Sequence, residues 1–113
     1  MFTQSEENYL KTIFSLQQEK EGSVSTSGIA KRLQTKAASV TEMVKRLAEK
    51  NLLNYQKYYG VELTKMGMKH ALLIVRKHRL WETFLVKHLN FNWDEVHEVA
   101  EQLEHVKSEK REH

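Results

Sequence analysis

Cysteine and proline are both missing from this 113-residue sequence, and glycine occurs only at positions 22, 28, 60 and 67. Without cysteine, neither a disulfide scaffold nor a thiolate metal site can form. With no proline and so few glycines, long helices joined by short breaks are expected. No run approaches the ~20 apolar residues of a membrane-spanning helix, and Met1 to Ser5 lacks the basic and apolar regions of a secretory leader. These features predict a cytoplasmic chain with no membrane partner, built as one domain or as one domain with a helical extension. Catalytic signatures are missing as well: there is no His-Glu-x-x-His, no Gly-x-Ser-x-Gly and no phosphate-binding glycine loop. The paired Glu-x-x-His motifs of a di-metal carboxylate bundle do not occur either. An enzyme is not expected.

What is present is uneven in charge. Between Lys31 and Lys69 stand nine bases against only Glu42, Glu49 and Glu62, whereas after Asn92 seven acids face Lys107, Lys110 and Arg111. A basic middle favours a polyanion and an acidic end favours cations.

Periodicity supplies the elements. Thr3 and Glu6 read as a capping box before a helix with Tyr9, Leu10, Ile13, Phe14 and Leu16 on its apolar face. The hydroxyls between Val24 and Ser27 cap a short second helix carrying Ile29, Ala30 and Leu33. Gln34 to Lys36 is a tight link to a third helix with Val40, Met43, Val44 and Leu47 in its stripe, stopped near Asn51. The period then changes: Leu52 to Gln56 and Val61 to Leu63 read as a hairpin with the basic, aromatic tip Lys57-Tyr58-Tyr59-Gly60. Thr64 caps a long helix to about Leu89. Asn92 and Glu95 cap a last one, with Phe91 and Val96 as a hydrophobic staple. The fold class is therefore mainly α with a small β-wing: a winged helix-turn-helix over residues 1–64, followed by a helical segment over 65–113.

Within that order the third helix is the DNA-reading element. Its amino end offers Lys36, Ala38, Ser39, Thr41 and Glu42 to base edges. Lys45, Arg46 and Lys57, with Lys65, are placed for phosphate. Taken alone, a helical face of mixed charge is simply solvated; the ordered set of three helices and a basic hairpin favours double-stranded operator DNA. A second constellation lies in the last two helices. His78 and Glu82 share a face at i and i+4, and His97, Glu101, Glu104 and His105 fall on one side of the final helix. Imidazole with carboxylate suits Mn(II), Fe(II), Co(II) or Zn(II). Each group alone reads as an ordinary surface pair or acidic face. His70 and His88 lack such company and read as surface or packing residues. The long helix is apolar on more than one face, through Ala71 to Val75 and then Leu80, Trp81, Phe84 and Leu85, which predicts a second subunit.

Across nearly the whole chain these residues resemble the family of the diphtheria toxin repressor and the manganese transport regulator. The resemblance rests on Glu7-Asn8-Tyr9-Leu10, Ile29-Ala30-Lys31-Arg32-Leu33 and Ser39-Val40-Thr41-Glu42-Met43-Val44. It continues in Leu63-Thr64-Lys65-Met66-Gly67, Arg76-Lys77-His78-Arg79-Leu80 and Leu103-Glu104-His105-Val106. It implies a homodimeric transcriptional repressor of metal homeostasis whose Mn(II) or Fe(II) binding favours the DNA-binding state, with Zn(II) or Co(II) as surrogates. His78, Glu82 and His97 then match the family's ancillary site. Glu101, Glu104 and His105 match its primary site, completed from the first helix at Asn8. The iron-type branch has methionine at the Asn8 position and cysteine at that of Glu101. The manganese-type regulator has aspartate at Asn8 and glutamate at Lys11, and a protonated lysine cannot ligate. Family members also continue beyond His113, so the helical segment is expected to be incomplete. The rival readings are a winged-helix regulator that senses a small organic ligand or none, and a metal-dependent enzyme.

Overall fold

Helix α1 (Gln4–Glu19) begins at a complete capping box: Thr3 Oγ1 accepts from the Glu6 N–H at 3.1 Å, and the Glu6 carboxylate accepts from the Thr3 N–H at 2.9 Å. The computed structural model describes residues 2–20, 22–89, 92 and 95–103. Tyr9, Leu10 and Ile13 are buried along α1, with Phe14 and Leu16 packed at the edge of the same core. Helix α2 (Thr26–Leu33) is capped by Ser25, whose Oγ accepts from the Gly28 N–H at 2.9 Å. Gln34, in the left-handed region at φ 54°, turns the chain into α3 (Ala37–Glu49), which buries Val40, Met43, Val44 and Leu47.

Strands β1 (Leu53–Gln56) and β2 (Gly60–Leu63) form the antiparallel wing, with Leu53 opposite Leu63 and Gln56 opposite Gly60. The expected first strand began one residue earlier, but the Leu52 N–H donates to Leu47 O at 3.0 Å and so closes α3 instead. Val24 adds a bridge to Val61 through two 2.8 Å hydrogen bonds. Gly60 permits this approach: its φ is +104°, and a Cβ there would lie 2.6 Å from Val24 O. Thr64 then opens α4 (Lys65–Leu89), its Oγ1 accepting from the Gly67 N–H at 3.0 Å and donating to Asn51 O at 2.7 Å. Gly67 lets the helix sit on the strand entry, since a Cβ would meet Leu52 O at 2.0 Å.

At 1.5 Å per residue α4 is about 37 Å long, and it serves two cores. Ala71 and Ile74 join the winged-helix core with Leu10, Ile13, Val44 and Leu47. Leu85 instead packs with Val96 and Ala100 of α5 (95–103), flanked by Trp81, Val86, Val99 and Leu103. Asn92 caps α5, its Oδ1 accepting from the Glu95 N–H at 3.0 Å; Phe91, the other half of the expected staple with Val96, lies outside the described residues. No described helix is long and apolar enough to cross a membrane.

Candidate metal centre and nucleic-acid face

The second core fixes how α4 and α5 face each other, and beside it three donor side chains converge. His78 and Glu82 project from α4 one turn apart, and His97 projects from α5. His78 Nε2 lies 3.0 Å from His97 Nδ1, His97 Nδ1 lies 3.3 Å from Glu82 Oε2, and His78 Nε2 lies 3.6 Å from Glu82 Oε2. Around a metal with bonds of about 2.1 Å, neighbouring donors stand about 3.0 Å apart at right angles and about 3.4 Å apart in a tetrahedron. The triangle already has that size, so nitrogen, nitrogen and oxygen donors fit a divalent first-row ion with little movement. Burial, then the nearby Lys11 charge, pushes the His78 imidazole below its ordinary range despite the opposing pull of Glu82. The neutral ring is the form that ligates.

Next to the triangle lies a cleft of about 730 Å³ bounded by α1, the end of α2, α4 and α5. Asn8, Lys11, His78, Glu82, His97 and Glu101 all line it. The structure thus brings Asn8 and Glu101 to one cleft. The partner of Glu101 is different, however: its Oε1 accepts from Lys11 Nζ at 2.6 Å. Burial would raise the Glu101 carboxyl, but the Lys11 hydrogen bond and charge outweigh it and hold it below its usual range. Glu104 and His105, the other expected donors of that second group, lie outside the described residues. His70 stacks edge-on against Phe2 with ring centroids 5.2 Å apart, and exposed His88 packs against Phe84 at 5.3 Å. Both stand apart from the donor triangle.

Helix α3 turns its apolar stripe inward and leaves Lys36, Ala38, Ser39, Glu42, Lys45 and Arg46 exposed, with Thr41 half-buried. Lys36 makes no side-chain cap, and the small residues Ala37, Ala38 and Ser39 follow it, so the amino end of the helix is slim and open. Lys57 is exposed in the wing tip, 5.4 Å from the Tyr58 ring, and Tyr58 and Tyr59 are 93% and 76% exposed. Two bases of the middle region are otherwise engaged. Lys50 Nζ donates to the buried carboxylate of Glu6 at 2.5 Å, and the Arg32 guanidinium donates to Glu19 Oε2 at 2.7 Å.

Sequence reasoning missed Lys11 as a pairing group. A signal was available, because Asn8, Lys11, Thr12 and Ser15 follow at i, i+3, i+4 and i+7 on one polar stripe of α1.

A winged helix-turn-helix joined through one long helix to a donor-bearing helical segment defines a DNA-binding regulator with a metal-type sensor. The chain belongs to the iron-dependent repressor family: residues 1–61 match its N-terminal DNA-binding domain and residues 64–113 its metal-binding and dimerisation domain. The chain is similar to an HTH-type transcriptional regulator of Methanocaldococcus jannaschii, 36% identical over 107 residues, which cover 95% of this chain and 86% of that one. It is 38% identical over 103 residues to the iron-dependent repressor IdeR of Mycobacterium leprae, covering 91% of this chain and 44% of the repressor. Among solved structures, a manganese-dependent transcriptional repressor in complex with manganese superposes with a TM-score of 0.79 at 42% identity. That match covers 89% of this chain and 46% of the other. The chain therefore spans less than half the length of these last two relatives, though most of the archaeal one. Such relatives are transcriptional regulators, not enzymes.

Proposed function

We propose that this chain is a metal-dependent transcriptional repressor that binds double-stranded operator DNA as a homodimer in the cytoplasm and controls metal homeostasis. Residues 1–64 form the DNA-reading part, and residues 65–113 sense metal and pair subunits. The observation that carries this reading is the donor triangle His78, Glu82 and His97, of ligand dimensions, set beside the first helix of a winged helix-turn-helix. Glu101, Glu104 and His105, with Asn8, are proposed as a second group of ligands. In the bound state the ion would supply positive charge shared by donors on separate elements. These residues then do the rest: those of α4 and α5 orient the sensor, and Asn8 ties it to α1. The response is linkage, set by the difference in affinity between the DNA-competent arrangement and the other. Lys36, Ala38, Ser39, Thr41 and Glu42 meet base edges, whereas Lys45, Arg46 and Lys57 meet phosphate.

The oxygen-rich donor set suits Mn(II) or Fe(II), while intrinsic affinity rises toward Zn(II). Activation, more than binding, therefore identifies the physiological ion. The test is operator affinity at matched free Mn(II), Fe(II), Co(II) and Zn(II), with and without chelator. Mn(II) or Fe(II) should tighten binding, Glu104→Ala or His105→Ala should abolish the response, and His78→Ala should weaken it less. Full metal-dependent binding in both Glu104→Ala and His105→Ala would remove the second ligand group, and affinity indifferent to chelator would sink the metal-responsive reading.

A further inference from the structure

The Lys11–Glu101 pair joins residues 90 positions apart and ties α1 directly to α5. Both side chains are largely shielded, at 17% and 26% exposure, so the pair is neither loose nor a surface accident. The ammonium stands in the same cleft as Asn8, His78 and Glu82, one helical turn from Asn8 on α1. A monovalent cation that belongs to the chain thus occupies the carboxylate that would join α5 to α1 through a metal.

We propose that Lys11 is an internal competitor for Glu101, so that the Lys11–Glu101 contact sets how much divalent metal is needed before Glu101 ligates. This rests on the metal-responsive reading above. Oε1 of Glu101 has lone pairs for both the ammonium at 2.6 Å and a metal, but sharing it would hold the two cations only about 4 Å apart. A dication on the other carboxylate oxygen would stand within about 5 Å of the ammonium, where like charges repel strongly in a shielded site. Metal entry at Glu101 therefore requires the Lys11 side chain to leave. Its four-carbon stem allows that, since the cleft beside it opens to solvent. The pair holds α5 against α1 before metal arrives, and the exchange of one cation for another keeps the two helices joined.

The test measures Mn(II) affinity of the whole chain by calorimetry, with folding checked by urea denaturation. Lys11→Gln should bind Mn(II) about tenfold more tightly, the range over which groups around metal ligands act, and Lys11→Arg should stay near wild type. The gain should vanish in the Lys11→Gln/Glu101→Gln double variant. Unchanged or weaker binding in Lys11→Gln overturns the proposal, as does a gain that survives Glu101→Gln, because Lys11 would then act without Glu101. A readout in the wild-type chain does not depend on any variant folding: with 13C-labelled lysine, the Lys11 ε-carbon signal must shift as Zn(II) is added. A signal that stays put at saturation overturns the competition. Chains that bind neither Mn(II) nor Zn(II) overturn both this inference and the metal-responsive reading. Metal-dependent binding by the wild type, with Lys11→Gln unaltered, overturns this inference alone.

Discussion

Two ion pairs with almost the same heavy-atom spacing carry very different weight at the residue scale. Glu6 is 2% exposed and accepts from both Lys50 and the Thr3 N–H, so it caps α1 and ties that helix to the end of α3. Burial alone would raise its carboxyl, but the Lys50 and Thr3 hydrogen bonds bring it below the usual range. The Glu19–Arg32 pair at 2.7 Å is half-exposed on both sides. Glu6→Ala should therefore lower the unfolding free energy by about 2 kcal/mol through lost cap and charged hydrogen bond, whereas Glu19→Ala should change it by less than about 1 kcal/mol. Urea denaturation of the two variants checks the contrast, and equal losses would refute it. The sequence showed the Thr3–Glu6 box because a cap is written within four residues. It did not show Lys50 or Lys11 as partners, 44 and 90 positions away, because neither pairing has a local period.

At the scale of elements, periodicity did most of the work. The stripe of α3 was readable because Val40, Val44 and Leu47 recur at helical spacing, and the wing because the period shortens on either side of Tyr58. The Val24–Val61 bridge was not readable, since two isolated hydrogen bonds leave no repeat. The exposed face of α3 and the wing tip then make a shared prediction. Arg46→Ala and Lys57→Ala should each weaken DNA binding across sequences and reduce the salt slope by about one; unaltered slopes in both would count against these phosphate contacts. Helix α4 makes a second prediction. Leu80 is 70% exposed, Leu73 44% and Phe84 39%, an apolar surplus that neither core covers. In a dimer through this face, Leu80→Glu should shift the chain to monomer at micromolar concentration in sedimentation, while Lys45→Glu, on the exposed face of α3, should not. A wild type that is already monomeric, in a longer chain as well as this one, would remove the dimer reading.

The whole molecule is asymmetric in the depth of its two cores. Among the described residues, fifteen buried side chains hold the winged helix and the first half of α4, whereas Leu85, Val96 and Ala100 are the buried ones of the second core. Few buried apolar side chains mean a low free energy of local opening, so α5 should open long before the winged helix does. Among the described residues, polar ties also join it to the rest: His97 toward His78 and Glu82, and Glu101 toward Lys11. An ion held by the His78, Glu82 and His97 triangle would stabilise the closed arrangement by the ratio of its free concentration to its dissociation constant. At a hundredfold excess that is about 2.7 kcal/mol, or about a hundredfold slower exchange through any opening that breaks the site. Hydrogen exchange without metal should therefore show amides of 95–103 exchanging well before those around Val44 and Leu47. Saturating Zn(II) should slow the former about a hundredfold and leave exchange in α3 nearly unchanged. His97→Ala should erase that protection. If metal instead protected α3 and α5 alike, the two cores would open as one unit, and the sensor could not move independently of the DNA-reading helix.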